Sequence, residues 1–197
     1  MRRHLLLATS LLLPSFAQAA DWYEGSSKHF IVYSEGSPEQ VTAATESLER
    51  FDQALRTITG TPDKPLSPNL RVTVFLLDDV AAIQKLSGNH SIAGYYQARA
   101  SGPMAFSPRK TSGTLDARSI LQHEYGHSFM FSSWPSAVFA KWFVEGFAEF
   151  VGTAYYRNDG TMTFGAPPET RKYGINQANQ IPASQMLMLN PGKLDGL

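Results

Sequence analysis

The chain has 197 residues, enough for one domain with a substantial hydrophobic core. It contains no cysteine, which excludes disulfides, a cysteine-linked lipid anchor and thiolate ligands, so any metal must be held by His, Asp or Glu. The 17 basic and 17 acidic residues balance, and nothing in that balance suggests nucleic acid or an anionic membrane surface as a partner.

The first twenty residues predict a secretory signal peptide at 1–19. Arg2 and Arg3 precede an apolar run at 5–13, and the small-residue sequence AQA follows at 17–19. A membrane anchor is the rival interpretation, but the run is well short of the roughly 20 residues that cross a bilayer. We therefore expect cleavage after Ala19, export to the periplasm or the exterior, and a mature domain at 20–197 with no remaining anchor.

Strand and helix signals alternate after the signal peptide. The predicted elements before residue 110 are strands in KHFIVYS (28–34) and LRVTVFLL (70–77), a helix from Ser37 to about Ile58, a short helix in DDVAAIQKL (78–86), and one or two strands in AGYYQARASGPMAFSP (93–108). Two helices are then predicted at about 115–131 and 140–156, joined by SSWPSA. Beyond Tyr156 the pattern indicates a loop with at most one strand.

The first of the two later helices contains a pair of histidines in the stretch ILQHEYGHSFMF (120–131). Positions i and i+4 lie on the same face of a helix, so the rings of His123 and His127 can converge on one point. Two imidazoles supply only half of a tetrahedral metal site, and a further ligand is needed.

The second helix, KWFVEGFAEF (141–150), supplies carboxylates. Glu145 and Glu149 are four residues apart among apolar side chains, where unpaired carboxylates are costly to bury and call for a cation. Gly146 costs roughly 1 kcal/mol relative to alanine inside a helix, which we interpret as a close approach of another helix. Two antiparallel helices could bring Glu145 beside both histidines, giving three ligands and an open fourth position, the catalytic type of zinc site.

These two motifs resemble a known family. HEYGH at 123–127 followed by WFVEGFAE at 142–149 is similar to the gluzincin metallopeptidases, in which HExxH is followed by a glutamate ligand on the next helix. The closer similarity is to the peptidase MA-like group of exported bacterial proteins, which carry a WxxEGxAE stretch. Seventeen residues separate His127 from Glu145, similar to the slightly longer gap in the aminopeptidase and thermolysin branches. The motif resemblance covers about residues 116–150.

The resemblance implies a fold and a set of roles. The fold would be an α+β, zincin-like domain with a small, mostly antiparallel sheet packed on the HExxH helix and a glutamate-bearing helix after it. His123, His127 and Glu145 would hold Zn²⁺, Glu124 would be the general base, and Glu149 would support a ligand histidine. Tyr95 and Tyr96 would lie in an edge strand that can pair with an extended peptide.

The implied activity is zinc-dependent hydrolysis of peptide bonds in a peptide or protein substrate. An exported, non-catalytic module that holds zinc for structure or for peptide capture is the alternative, and another divalent ion is possible although His2Glu sites favour zinc. A serine-histidine-acid triad stays open too, but no Gly-x-Ser-x-Gly elbow occurs. His29 and His90 are interpreted as packing or surface residues. No motif identifies the oxyanion donor, the substrate or the oligomeric state.

The end of the chain departs from the family pattern. Gluzincins usually continue with a helical part that forms the other wall of the cleft, whereas only about 40 residues follow the second helix here. The resemblance therefore implies that 20–197 is a C-terminally truncated form of the domain.

Overall fold

The computed structural model describes residues 21–167 together with Pro182 and Ser184, so the predicted signal peptide and the chain end lie outside the described residues. The elements are β1 (Tyr23–Ser26), β2 (Phe30–Ser34), α1 (Pro38–Thr59), β3 (Val72–Leu77), α2 (Val80–Ser87), β4 (Tyr95–Gln97), β5 (Met104–Pro108), α3 (Ala117–Ser133), α4 (Lys141–Gly152), β6 (Tyr155–Tyr156) and β7 (Met162–Thr163), with a 3-10 turn at Pro68–Leu70. No helix in this part of the chain has the length and apolar character needed to cross a membrane.

Five strands form one sheet in the order β1-β2-β3-β5-β4, and β6 pairs with β7 in a separate hairpin. β2, β3 and β5 run parallel, while β1 and β4 lie antiparallel at the two edges. The fold is therefore α+β, but the sheet is mixed, and the prediction of a mostly antiparallel sheet is wrong. The reason lies in the connections, because α1 returns the chain to the starting edge before β3 begins, and the antiparallel strand β4 does so before β5 begins.

The core lies between one face of the sheet and helices α1 and α3. Along β3, Val72, Val74 and Leu76 are buried and alternate with partly exposed neighbours, as expected when one face of a strand meets the core. Helix α1 buries a stripe that includes Leu48 and Phe51 against this face. Tyr125 and Phe129 bring α3 into the same cluster, whose buried members are Phe30, Val32, Val41, Leu48, Phe51, Leu55, Val72, Val74, Leu76, Ala105, Tyr125, Phe129, Val151 and Ala154.

Local signals explain where α1 begins and ends. The Ser37 hydroxyl accepts from the backbone N–H of Gln40, whose side chain accepts in return from the Ser37 N–H, forming a capping box. Gly60 ends the helix in the left-handed conformation with φ of 68°, which glycine adopts without a Cβ clash. The helix is thereby held in place against the sheet and can support α3.

Candidate metal centre

The two histidines of α3 converge as their spacing predicts. Their Nε2 atoms lie 3.2 Å apart, and the ring planes are nearly perpendicular at 84°. Both side chains face α4, with 20% of His123 and 12% of His127 exposed. Two nitrogen atoms are thus directed at one point beside the next helix.

Glu145 of α4 adds an oxygen at this point. Its Oε2 atom is 3.6 Å from the Nε2 of His123 and 3.7 Å from the Nε2 of His127. The two nitrogens are 3.2 Å apart, so the circle that passes through all three donor atoms has a radius of about 2.0 Å. Zinc bonds to histidine nitrogen and carboxylate oxygen are about 2.0 to 2.2 Å long, so one ion fits the three donors. The Glu145 side chain is 56% exposed, and the centre is open to solvent on that side.

The electrostatics favour the neutral, ligating form of His127. Burial lowers the pKa of His127, and the neighbouring His123 lowers it further, against the opposite influence of Glu145 and Glu149. Metal ions bind the deprotonated imidazole, so this histidine is already in the required state at neutral pH.

Glu124 lies beside the three donors and is not one of them. It is buried and lines the same cleft as His123. Burial raises its pKa to about 8, the negative charge of Glu145 raises it as well, and a backbone hydrogen bond with Tyr96 acts in the opposite direction. A cation held by the three donors would stabilise the carboxylate and lower this pKa. Glu124 is thus buried next to the three donors without belonging to their group.

Glu149 stands on the far side of the His123 ring. Its Oε1 atom is 3.7 Å from Nδ1 of His123, the nitrogen opposite the one that faces Glu145. This is longer than a hydrogen bond, yet it is the side from which a carboxylate can hold a ligand histidine in the correct tautomer. The Nδ1 atom of His127, by contrast, is buried and has no hydrogen-bond partner among the described residues.

Small residues allow α3 and α4 to pack closely enough for the three donors to meet. A Cβ on Gly126 would lie 2.8 Å from Cγ2 of Val151 and 3.3 Å from Cα of Ala148, and one on Gly152 would lie 3.1 Å from Cβ of His123. No described residue has an atom within 4 Å of a Cβ built on Gly146. The interpretation of Gly146 as the point of close approach is therefore wrong, since it lies on the open side of α4 and Gly126 is at the crossing.

The sequence alone does not predict a buried polar network that lies behind α3. Tyr125, inside the HEYGH motif, donates from its hydroxyl to Oδ1 of Asp52 on α1 at 2.5 Å. Arg56 donates to both oxygens of Asp52, at 2.6 and 3.0 Å. Burial and Asp52 raise the pKa of Tyr125 well above its ordinary value, so the phenol stays a donor. Its partner is 73 residues away, and no local spacing pattern indicates such a pair.

His29 joins the edge of this network. Its Nδ1 atom is 2.7 Å from Glu49 and 3.5 Å from Asp52, and its Nε2 atom is 3.1 Å from Asp63. The distances alone would permit a metal ion among His29, Glu49 and Asp52. However, both Asp52 oxygens already accept from Arg56, so these residues form a satisfied ion-pair network. His90 is exposed in a loop, in agreement with its interpretation as a surface residue.

A cleft of about 520 Å³ lies next to the candidate metal centre. Its walls include His123, Glu124 and Glu149, the loop at 91–94 that leads into β4, and residues 166–167. Edge strand β4, with Tyr95 and Tyr96, therefore follows directly from one wall of the cleft. The volume is adequate for part of a peptide or a small ligand.

The chain matches no family model, and no curated protein matches its sequence. Support for a function therefore comes from the motif and its geometry.

Proposed function

We propose that the protein is a zinc-dependent hydrolase of peptide bonds. The observation that carries the proposal is the circle of about 2.0 Å radius through the Nε2 atoms of His123 and His127 and the Oε2 atom of Glu145. Three protein donors with an open side are typical of catalytic zinc sites, while structural sites have four.

The residues divide the chemistry between them. His123, His127 and Glu145 would hold zinc, which when bound supplies Lewis-acid polarisation of a carbonyl group and of water. Glu124 accepts the proton of the attacking water and donates it to the leaving amine. The burial of Glu124 makes its carboxylate a stronger base than an exposed one, and its exclusion from the donor set leaves the carboxylate available for proton transfer.

The sheet edge supports a peptide as the substrate class. Within residues 21–167, β4 is paired with β5 on one side only, and it follows the wall of the cleft. The neighbourhood of β4 and Glu124 supports this, because the Tyr96 backbone lowers the pKa of Glu124 and a Cβ on Gly94, just before β4, would lie 3.2 Å from Cγ of Glu124. An extended peptide that adds to the edge by backbone hydrogen bonds would pass Glu124 and the three donors.

The decisive experiment measures metal and turnover together. The purified mature protein should contain one zinc per chain and hydrolyse members of a mixed peptide library, and a chelator should abolish this hydrolysis. Glu124→Gln keeps the side-chain shape but cannot take a proton, so zinc content should stay near one per chain while the rate falls by about 100-fold or more.

Two results would contradict the proposal. Loss of zinc in Glu124→Gln would make Glu124 a ligand and the assigned roles wrong. Stoichiometric zinc in a wild-type protein without peptide turnover would favour the non-catalytic zinc-binding or peptide-binding module.

A further inference from the structure

A second cavity, of about 350 Å³, lies on the other side of α3 from the metal-centre cleft. The cleft is lined by residue 116, just before α3, and by residues 119, 120, 123 and 124 of the helix. The second cavity is lined by residues 117, 118, 121 and 122. At 3.6 residues per turn these sets lie on opposite faces of the helix, so α3 separates the two cavities. We call the second one the α1–α3 cavity.

The α1–α3 cavity is at the carboxyl edge of the parallel strands. Ser34, Leu76 and Pro108, which line it, stand at or next to the ends of β2, β3 and β5. In open sheets with parallel strands, ligands bind outside this edge because the loops and helices there diverge and leave a crevice. The position is thus one where a binding site is expected on general grounds.

The interior of the cavity is apolar. Leu48 and Phe51 of α1 face Leu121 of α3 across it, and Ala44 leaves room between the helices. Its volume is at the small end of the range for ligand pockets. A short aliphatic or aromatic group would fit, and a large cofactor would not.

Positive charge is concentrated at the cavity. The charged residues that line it are Arg109, Lys110 and Arg118, and no acidic residue is among the described residues of its wall. Asp78 pairs with both Arg109 and Lys110, at 2.5 and 3.2 Å, and Asp116 pairs with Arg118 at 3.2 Å. Three cations therefore share two carboxylates, which leaves one positive charge in excess.

Arg109 also has an unused donor. Its Nη2 atom donates to Asp78, while its Nε–H is buried and has no acceptor in the part of the chain that the structure describes. A buried donor without a partner is unfavourable, and a carboxylate is the group that matches a guanidinium edge best. A neutral apolar ligand would leave the excess positive charge unpaired, and a phosphate dianion would exceed it.

We propose that the α1–α3 cavity binds a small amphipathic carboxylate, with its apolar part between α1 and α3 and its carboxylate at Arg109. This site is distinct from the candidate metal centre and does not depend on the proposed hydrolysis.

The test titrates the full mature protein with octanoate by calorimetry, using acetate and octan-1-ol as matched probes that lack either the tail or the charge. We expect one octanoate per chain, bound at least 10-fold more tightly than either probe. In NMR spectra of the wild-type protein, octanoate should shift the amide resonances of 109–110 and 117–122. Equal affinity for octanoate and octan-1-ol, or shifts confined to other residues, would overturn the proposal.

Variants assign the binding to the cavity. Ser47→Phe fills it from α1 without changing any charge and should weaken octanoate binding at least 10-fold, while Arg109→Gln should remove the preference for octanoate over octan-1-ol. Lys64→Gln, in an exposed loop, removes a cation elsewhere and should change nothing. His127→Ala should bind octanoate like the wild type. Loss of octanoate binding in His127→Ala would mean that the carboxylate binds at the metal centre, and would also overturn the proposal.

Discussion

Three glutamates surround the two histidines, and their positions imply different roles. Glu145 reaches both Nε2 atoms at 3.6 and 3.7 Å, Glu149 lies 3.7 Å from Nδ1 of His123, and Glu124 is buried beside them without joining the donor set. Residue type alone would not separate the three. The separation comes from where each carboxylate stands relative to the two ring nitrogens.

Glu145→Gln and Glu149→Gln should therefore differ in their effect on zinc affinity. A neutral amide is a poor substitute for a ligating carboxylate, so Glu145→Gln should bind zinc much more weakly and lose activity with it. Glu149→Gln removes only the support of His123 and should reduce affinity by about 10-fold to 100-fold. Competition with a chromophoric chelator measures both constants. Unchanged zinc affinity in Glu145→Gln would remove it from the metal centre.

The sequence predicts these residues because their spacing is local. His123 and His127, four residues apart, need only one regular helix to converge, and Glu145 and Glu149 likewise need only one regular helix to share a face. Asp52 and Tyr125 are also brought together, but across 73 residues and from two helices, so their contact depends on the tertiary fold. Spacing can predict the first kind of pair and not the second.

At the scale of helices and strands, the sequence predicts well which elements form and less well how the strands pair. α1 agrees closely with its prediction because Ser37 and Gly60 mark its ends chemically. β1 was missed, since its short sequence YEGS has only one residue typical of strands. The parallel pairing of β2, β3 and β5 depends on how α1 and β4 carry the chain back between these strands, and that information is not in any single strand.

Gly126→Ala and Gly146→Ala form a matched test of the α3–α4 packing. At Gly126 the new methyl group would meet Val151 at 2.8 Å, and overpacking of this kind costs about 1 to 3 kcal/mol, offset by about 1 kcal/mol from better helix propensity. We expect a net loss of up to about 2 kcal/mol in the free energy of unfolding, and weaker zinc binding as the helices move apart. The methyl group of Gly146→Ala meets no described residue, so the free energy of unfolding should rise by up to about 1 kcal/mol. Urea denaturation measures both, and equal effects would place the crossing elsewhere.

Tyr125→Phe tests whether the buried network holds α3 against α1. The substitution removes the hydroxyl that donates to Asp52, and a hydrogen bond to a charged group contributes about 1.5 to 3 kcal/mol. The free energy of unfolding should fall by that amount, whereas Tyr155→Phe, at an exposed tyrosine, should change it by less than about 0.5 kcal/mol. Equal stability of Tyr125→Phe and the wild type would show that Arg56 alone satisfies Asp52.

At the scale of the whole molecule, α3 connects the sheet to α4. One face contacts the core through Tyr125 and Phe129, another meets α4 at Gly126, and its remaining surface separates the metal-centre cleft from the α1–α3 cavity. The donors of the metal centre come from two helices that are joined by a loop. A metal ion would therefore link α4 to a helix that the core already holds.

Zinc should consequently stabilise the folded protein as a whole. An ion that binds only the folded chain raises the free energy of unfolding by about 2.7 kcal/mol at a free concentration of 100 times its Kd. The unfolding midpoint should rise with zinc and return to the metal-free value with a chelator. Glu124→Gln retains all three donors and should show the full rise, while His127→Ala should show almost none. A zinc-dependent rise of equal size in His127→Ala would mean that the stabilising ion binds elsewhere, because that variant lacks one of the two nitrogens around which the centre is built.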